Sequence, residues 1–335
     1  MRQITPSSPS GAASIGNFVD PRLPAYQPAA FDDESALPFS AHSDSCRITG
    51  SKHSAFIMEK LAAAFCRHHA DLKLTVDLRG SGTAIPFLIH GKGLVSVLGR
   101  EASDAERVPY VKGVAAEPFS IRIAHAALCA KDGLATSLGV YVHASNPLER
   151  INLRDLARIL ATGHPDGDIT CWGQAGLSGP WEKRTIHPYC TQEYSGFGTH
   201  LQRHLLAGRL LNPISGRYTG GAPVLDRIAD DPAGIGIAAI GDSRAAIKPL
   251  AISLDKKGPF SIGTADEILS GTYPLARFLN LFLRRDGQGN IDPRAKAFAT
   301  FILSREGQEI IASQKDGYLP LTAQQAEQER LKLTA

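Results

Sequence analysis

Three short stretches carry the residue types that hold an anion, and each stands where a helix should begin. They are Gly50-Ser51-Lys52-His53-Ser54, Gly80-Ser81-Gly82-Thr83 and Tyr194-Ser195-Gly196. A helix N-terminus presents unpaired N–H groups and about half a positive charge, which stabilises a negative group placed there. Ser and Thr hydroxyls add donors, and glycine lets the backbone come close. A single loop of this kind reads equally well as a helix cap. Three of them interleaved with strands favour binding.

The flanking sequence supplies the elements that must position these loops. Arg47-Ile48-Thr49 is a short strand stopped by Gly50, and Ile57, Leu61, Ala64 and Phe65 recur at helical spacing over residues 54–68. Leu74, Val76 and Leu78 alternate with polar residues as a strand does, and Ile85, Leu88 and Ile89 continue as a helix that tolerates Pro86 in its first turn. Leu94 to Leu98 is a third strand. Further on come a strand at Leu138 to Val142, a helix at Leu153 to Ala161, a Gly/Trp-rich segment from Trp172 to Trp181 and a buried strand at Gly234 to Ile240. Phe278 to Leu283 is a returning strand, Asp292-Pro293 opens a helix, and another helix runs near Arg305 to Gln314. This alternation predicts an α/β fold with mainly parallel sheets covered on both faces, and ligands at the carboxyl ends of the strands.

The chain has 335 residues, 43% of them hydrophobic and 21% charged, which suits two lobes of roughly 100–200 residues. A net charge of +3 without a Lys/Arg run gives no reason to expect nucleic acid. No apolar run of about 18 residues is present, so no membrane span is expected. Residues 1–44 are rich in Pro, Ser, Ala and Asp and read as an extended arm; the N-terminus has no apolar signal-like region. Cys46, Cys66, Cys129, Cys171 and Cys190 are odd in number and fit no zinc motif. Cys171 with Cys190 is the first disulfide to test, against the alternative of buried thiols. No metal set is read: His68-His69 is a solvated helix end, and nothing nearby completes one with His187 and Cys190. Trp172 and Trp181 are expected to pack the second lobe. No cofactor is expected, because Gly234 and Gly236 lack the third glycine and acidic residue of a dinucleotide fingerprint.

From Arg47 to Glu106 the order strand, Gly-Ser loop, amphipathic helix, Gly-Ser-Gly-Thr loop and Gly-Arg turn before an acidic helix start resembles the first lobe of the phosphate-binding receptors of bacterial ABC transporters. Further resemblance lies in Pro24-Ala25-Tyr26, Ile169-Thr170-Cys171-Trp172-Gly173-Gln174, Tyr273-Pro274-Leu275-Ala276-Arg277-Phe278-Leu279 and Gly317-Tyr318-Leu319-Pro320-Leu321. The resemblance implies a two-lobed periplasmic-binding-protein-like (type II) fold. Residues 45–124 with 272–335 would form lobe 1 and residues 125–271 lobe 2, with crossings near Ile121 to His125 and Tyr273 to Leu283. It implies a small anionic ligand held by Ser51, Lys52, His53, Ser81, Gly82, Thr83, Arg100, Thr191, Glu193, Ser195, Gly196 and Phe197.

Several of those positions depart from the family pattern. Lys52-His53 replaces Asp-Thr, Gly99 replaces the Ser of a Ser-Arg turn, Thr191 replaces an Arg, and Phe197 replaces a Thr. Losing the Arg removes a guanidinium fork suited to oxyanions. The expected ligand is a phosphate-like oxyanion or, given these altered residues, an organic acid or phosphorylated compound, which suits them better than bare phosphate. Uptake through an ABC-type permease, a periplasmic location and a monomeric state go with this reading; the cytoplasm goes with a chain made without a signal. The alternative is an enzyme in the same cleft, with His53, Cys190, Glu193 and Ser195 as its catalytic set.

Overall fold

The computed structural model describes residues 19–28, 30, 46–129, 133–314 and 317–334. Most of the arm expected over residues 1–44 lies outside them. Within the described part, Leu23 and Tyr26 are buried in the first core. Arg305 holds this segment by donating to the carbonyls of Leu23 and Pro24, and the Tyr26 hydroxyl meets His69 Nε2 at 2.7 Å. His69 thus helps dock this segment, while His68, exposed at the helix end as expected, pairs with Glu306 at 2.9 Å.

The strands are β1 (Arg47–Gly50), β2 (Thr75–Asp77), β3 (Val95–Leu98), β4 (Phe119–His125), β5 (Leu138–His143), β6 (Arg150–Asn152), β7 (His187–Thr191), β8 (Gly216–Tyr218), β9 (Gly234–Ala239), β10 (Ile247–Pro249), β11 (Ala251–Ser253) and β12 (Phe278–Leu283). The helices are α1 (Ala55–His68), α2 (Ser81–Ile89), α3 (Asp104–Val114), α4 (Leu153–Leu160), α5 (Gly196–Leu201), α6 (Gly221–Asp230), α7 (Ala265–Leu269), α8 (Pro293–Ile302), α9 (Arg305–Ala312) and α10 (Ala323–Lys332). The first lobe is built on a five-stranded sheet ordered β2-β1-β3-β12-β4, the second on one ordered β10-β5-β9-β7-β8.

The expected α/β architecture with two sheets is what forms, but the sheets are mixed rather than mainly parallel. Parallel pairings join β1 to β2 and β3, and β7 to β8 and β9; β12 runs antiparallel to β3 and β4, and β5 to β9 and β10. The reason in the first lobe is connectivity. Strand β4 carries the chain out of the lobe and β12 brings it back through the same seam, so the two must run in opposite directions.

Hydrophobic patterning places the cores on both faces of each sheet. Ile57, Met58, Leu61, Ala64 and Phe65 give α1 one buried face, packed with Phe298 and Phe301 beneath β1 and β3. Ile85, Tyr110 and Phe282 cover the other face. In the second lobe Val140, Leu156, Ile237 and Trp172 form one core, with Trp181 edge-on to Trp172 at 6.1 Å, and Tyr141, Val224 and Ile228 fill the other side. Both tryptophans therefore pack the lobe. Each buried Leu, Ile or Phe contributes about 1.5–3 kcal/mol. Caps set the helix starts: Asp292 accepts from Arg294 N at 2.9 Å, and Ser103 with Glu106 forms a capping box.

At the seam, Phe278 of β12 lies opposite His125 of β4. His125 exchanges backbone hydrogen bonds with Leu319, stacks at 4.6 Å on Phe278 and donates from Nε2 to Gln325 Oε1 at 3.0 Å. Its Nδ1 is buried with no hydrogen-bond partner among the described residues. Burial pushes its pKa down from 6.5 to about 4, against the pull of the Gln325 hydrogen bond. Because the folded value is depressed, the unfolded chain takes the proton first, and stability falls as pH drops from 6.5 toward 4. At about 1.4 kcal/mol per pKa unit this is worth about 3 kcal/mol. Urea unfolding between pH 7 and 4, which should lower the midpoint of the wild type more than that of His125→Gln, checks it; parallel acid limbs would remove His125 as the cause.

Candidate functional site

The first two anion-type loops form one rim at the carboxyl ends of β1 and β2. Gly50 makes this possible: its φ is +118°, and a side chain there would run into the Val97 backbone. Ser51 N then donates to Val97 O and Gly80 N to Gly50 O, each at 2.9 Å, which sets the loops side by side. The Thr83 hydroxyl donates back to Gly80 O at 2.8 Å, while Ser81 and Gly82 open α2. Ser51 is buried, and Lys52 and His53 are exposed in a short 3-10 turn whose His53 carbonyl accepts from the Tyr318 hydroxyl.

The third loop belongs to the second lobe. Tyr189, Cys190 and Thr191 lie in β7, not in a loop, and the turn is confined to the residues up to Ser195. Ser195 Oγ accepts from Gly198 N and donates to Thr191 Oγ1, both at 3.0 Å, so its hydroxyl serves as a cap. Glu193 is half-buried, with an oxygen 3.5 Å from Leu211 N.

Arg277, on the chain crossing into β12, joins the two sides. It is 4% exposed. Its Nη1 donates to Thr136 O at 2.9 Å, and its Nη2 donates to Gly99 O in the first lobe at 2.5 Å and to Gly196 O in the second at 3.3 Å. The guanidinium also lies 5.0 Å over the Phe197 ring. Only neutral groups meet it: among the described residues no carboxylate forms an ion pair with it, and its Nε has no hydrogen-bond partner. Burial pushes its pKa down to about 10, with the Glu101 carboxylate pulling upward, so it remains a cation at neutral pH. An uncompensated buried charge is costly. Arg277 falls within the Tyr273 to Leu283 crossing expected from the sequence, but nothing in that motif marked its side chain as a buried cation.

Gly99 permits the approach. A Cβ built on it would stand 2.5 Å from Ala135 Cβ, so a serine at this position would force the two segments apart.

Arg100, one of the expected ligand residues, pairs with Glu106 through two hydrogen bonds of 2.6 and 2.7 Å. The next residue, Glu101, reaches across the seam: its Oε1 accepts from His204 Nε2 at 3.1 Å, and its Oε2 lies 3.6 Å from His200 Nδ1. Burial opposes the charge on Glu101, yet these hydrogen bonds outweigh it and hold the carboxyl well below the usual range. Burial pushes His200 down, partly offset by Glu101. No reading of the sequence singled out this trio; the one available signal is the four-residue spacing of His200 and His204, which puts both on one helix face.

The enzymatic set does not assemble. Cys190 is fully buried in the second core, where burial pushes its thiol up to about 12, the opposite of an activated nucleophile. Among the described residues no hydrogen bond joins any two of His53, Cys190, Glu193 and Ser195. Nor is Cys190 bridged to Cys171, whose sulfur lies 3.5 Å from Gln174 Oε1.

Against known proteins, residues 38–306 match the PBP superfamily domain. The chain belongs to the PBP superfamily. Within it, the chain is a divergent relative of the phosphate-binding receptors: it is 27% identical over 320 residues to the phosphate-binding protein PstS of Pseudomonas aeruginosa, covering 95% of this chain and 92% of that one. Among solved structures it is similar in fold to an ABC-type phosphate transport receptor from Vibrio cholerae, with a TM-score of 0.56, 20% identity and coverage of 82% of this chain and 98% of the other. It is also similar to PstS from Borrelia burgdorferi, with a TM-score of 0.54, 18% identity and coverage of 82% and 98%. In this structure the seam is closed over the Arg277 side chain by the carbonyls of Gly99, Thr136 and Gly196.

Two outcomes check this geometry. Gly99→Ala should lower the urea unfolding free energy by about 1–3 kcal/mol through overpacking, and adding Ala135→Gly should recover most of it; an unchanged single variant would mean the contact is loose. Cys190 should resist alkylation in the native protein and react only on unfolding, as read by mass spectrometry of the labelled peptide.

Proposed function

We propose that this chain is a solute-binding protein that closes over a small organic anion, a carboxylate or a phosphorylated compound, and presents it to an ABC-type membrane permease. One observation carries the reading: Arg277, a buried cation at the junction of both lobes with only neutral partners. An anion entering the open cleft would replace carbonyl oxygens with a bidentate charged partner, and a charge-assisted pair of this kind is about twice as strong as a neutral hydrogen bond. The ligand then favours the closed form through contacts made only there.

The same neighbourhood argues for an organic ligand. Phe197 places a ring under the guanidinium, where a hydroxyl would have served a small oxyanion, and Arg100 is already neutralised by Glu106. A location on the periplasmic side of a membrane follows from the permease role. The name of the Pseudomonas relative, a phosphate-binding protein, supports the transport class and leaves the ligand open.

Thermal shift followed by calorimetric titration tests the proposal, with inorganic phosphate, phosphate monoesters and small dicarboxylates as probes. An organic anion should raise the melting temperature, and at 100 times its Kd the stabilisation should be about 2.7 kcal/mol. Arg277→Lys keeps the charge but loses the fork, and should weaken that anion by more than about tenfold, the loss of one charged hydrogen bond at 1.5–3 kcal/mol. Tight, selective binding of inorganic phosphate would overturn the organic assignment, and equal affinity in Arg277→Lys would overturn the role of Arg277.

A further inference from the structure

We propose that Glu101, His200 and His204 form a binding site for a divalent metal ion of the zinc type, and that the ion holds the two lobes together. The three side chains each offer one ligand atom, all within 4.8 Å of one another. They come from both sides of the seam. Glu101 follows Arg100 in the turn after β3, whereas His200 lies in α5 and His204 in the π-helical turn Gln202–Leu206 that continues it. π turns occur with unusual frequency at functional sites. The imidazole rings are 4.4 Å apart, centroid to centroid.

The spacing suits a small tetrahedral ion. Bonds of about 2.1 Å in a tetrahedron set ligand atoms about 3.4 Å apart, and Glu101 already lies 3.1 Å from His204 Nε2 and 3.6 Å from His200 Nδ1. Two imidazole nitrogens and one carboxylate oxygen select zinc and its neighbours, whereas calcium and magnesium require oxygen sets. Three protein ligands leave one coordination position open. A groove of 620 Å³ runs alongside, walled by Ala102 and Ser103 of one lobe and Thr199, Gln202 and Arg203 of the other, all close chain neighbours of the trio. His204 is itself exposed, so the trio is reachable from solvent.

Because Glu101 and the histidines sit on opposite lobes, the complete ligand set exists only when the lobes are shut. An ion bound there therefore stabilises the closed form by the difference in its affinity for the two forms. The site rests on closure but not on the anion that Arg277 would bind, although Glu101 and His200 lie close enough to Arg277 to feel its charge.

Metal-free protein titrated calorimetrically with zinc chloride, with magnesium and calcium chlorides as controls, provides the test. The expected result is one zinc per chain, no response to magnesium or calcium, and more than about tenfold weaker binding in His204→Ala and in Glu101→Gln, since even outer-shell partners of a metal cost 10–100-fold when lost. His204 is exposed, so its replacement leaves the fold intact; circular dichroism of both variants verifies this. Small-angle scattering should show zinc narrowing the wild-type particle and leaving His204→Ala unchanged. No zinc binding by the wild type, or an affinity in either variant equal to that of the wild type, overturns the proposal.

Discussion

A single buried cation organises the centre of this molecule. Arg277 lies where the chain returns from the second lobe to the first, and its hydrogen bonds run to Gly99 on one side and to Thr136 and Gly196 on the other. Taking a guanidinium out of water costs several kcal/mol unless its donors are met. Carbonyls from both lobes meet most of that need only while the lobes stay together. The charge thus couples the shape of the cleft to whatever the cleft holds.

The strand pair β4 and β12 makes such an arrangement mechanically possible. It is antiparallel because one strand leaves the first lobe and the other re-enters it, and it brings Phe278 opposite His125 at the crossing. The mixed sheets follow from that connectivity. Around it, Gly99 removes the side chain that would meet Ala135, and Tyr318 ties its own segment to the His53 carbonyl and to Ala135 N. The result is a seam closed largely by backbone groups, with the Arg277 guanidinium held among their carbonyls.

The positions at which the sequence departs from the phosphate-receptor pattern include several that the fold brings to that seam. The glycine and serine rims that end β1 and β2 persist, with their helix starts. Between the lobes, Thr191 and Phe197 stand where the resemblance led one to expect an arginine and a threonine, Arg100 pairs with Glu106, and Glu101 faces two histidines from the opposite lobe.

The sequence by itself determined the α/β class and many of the elements, though not the directions in which the strands pair. Strand and helix periods, the Gly-Ser loops and the Asp292-Pro293 helix start are local signals, and each reappears as an element at nearly the expected residues. Only the tertiary structure decided the site. Whether Arg100 faces ligand or Glu106, whether Cys190 is a nucleophile or core, and whether Arg277 is a surface charge or the centre of the cleft all depend on which segments lie beside them. Those neighbours come from the other lobe or from chain up to 178 residues away, as Gly99 is from Arg277. Periodicity reports the face a residue presents to its own element. It carries no information on what the second lobe brings against that face.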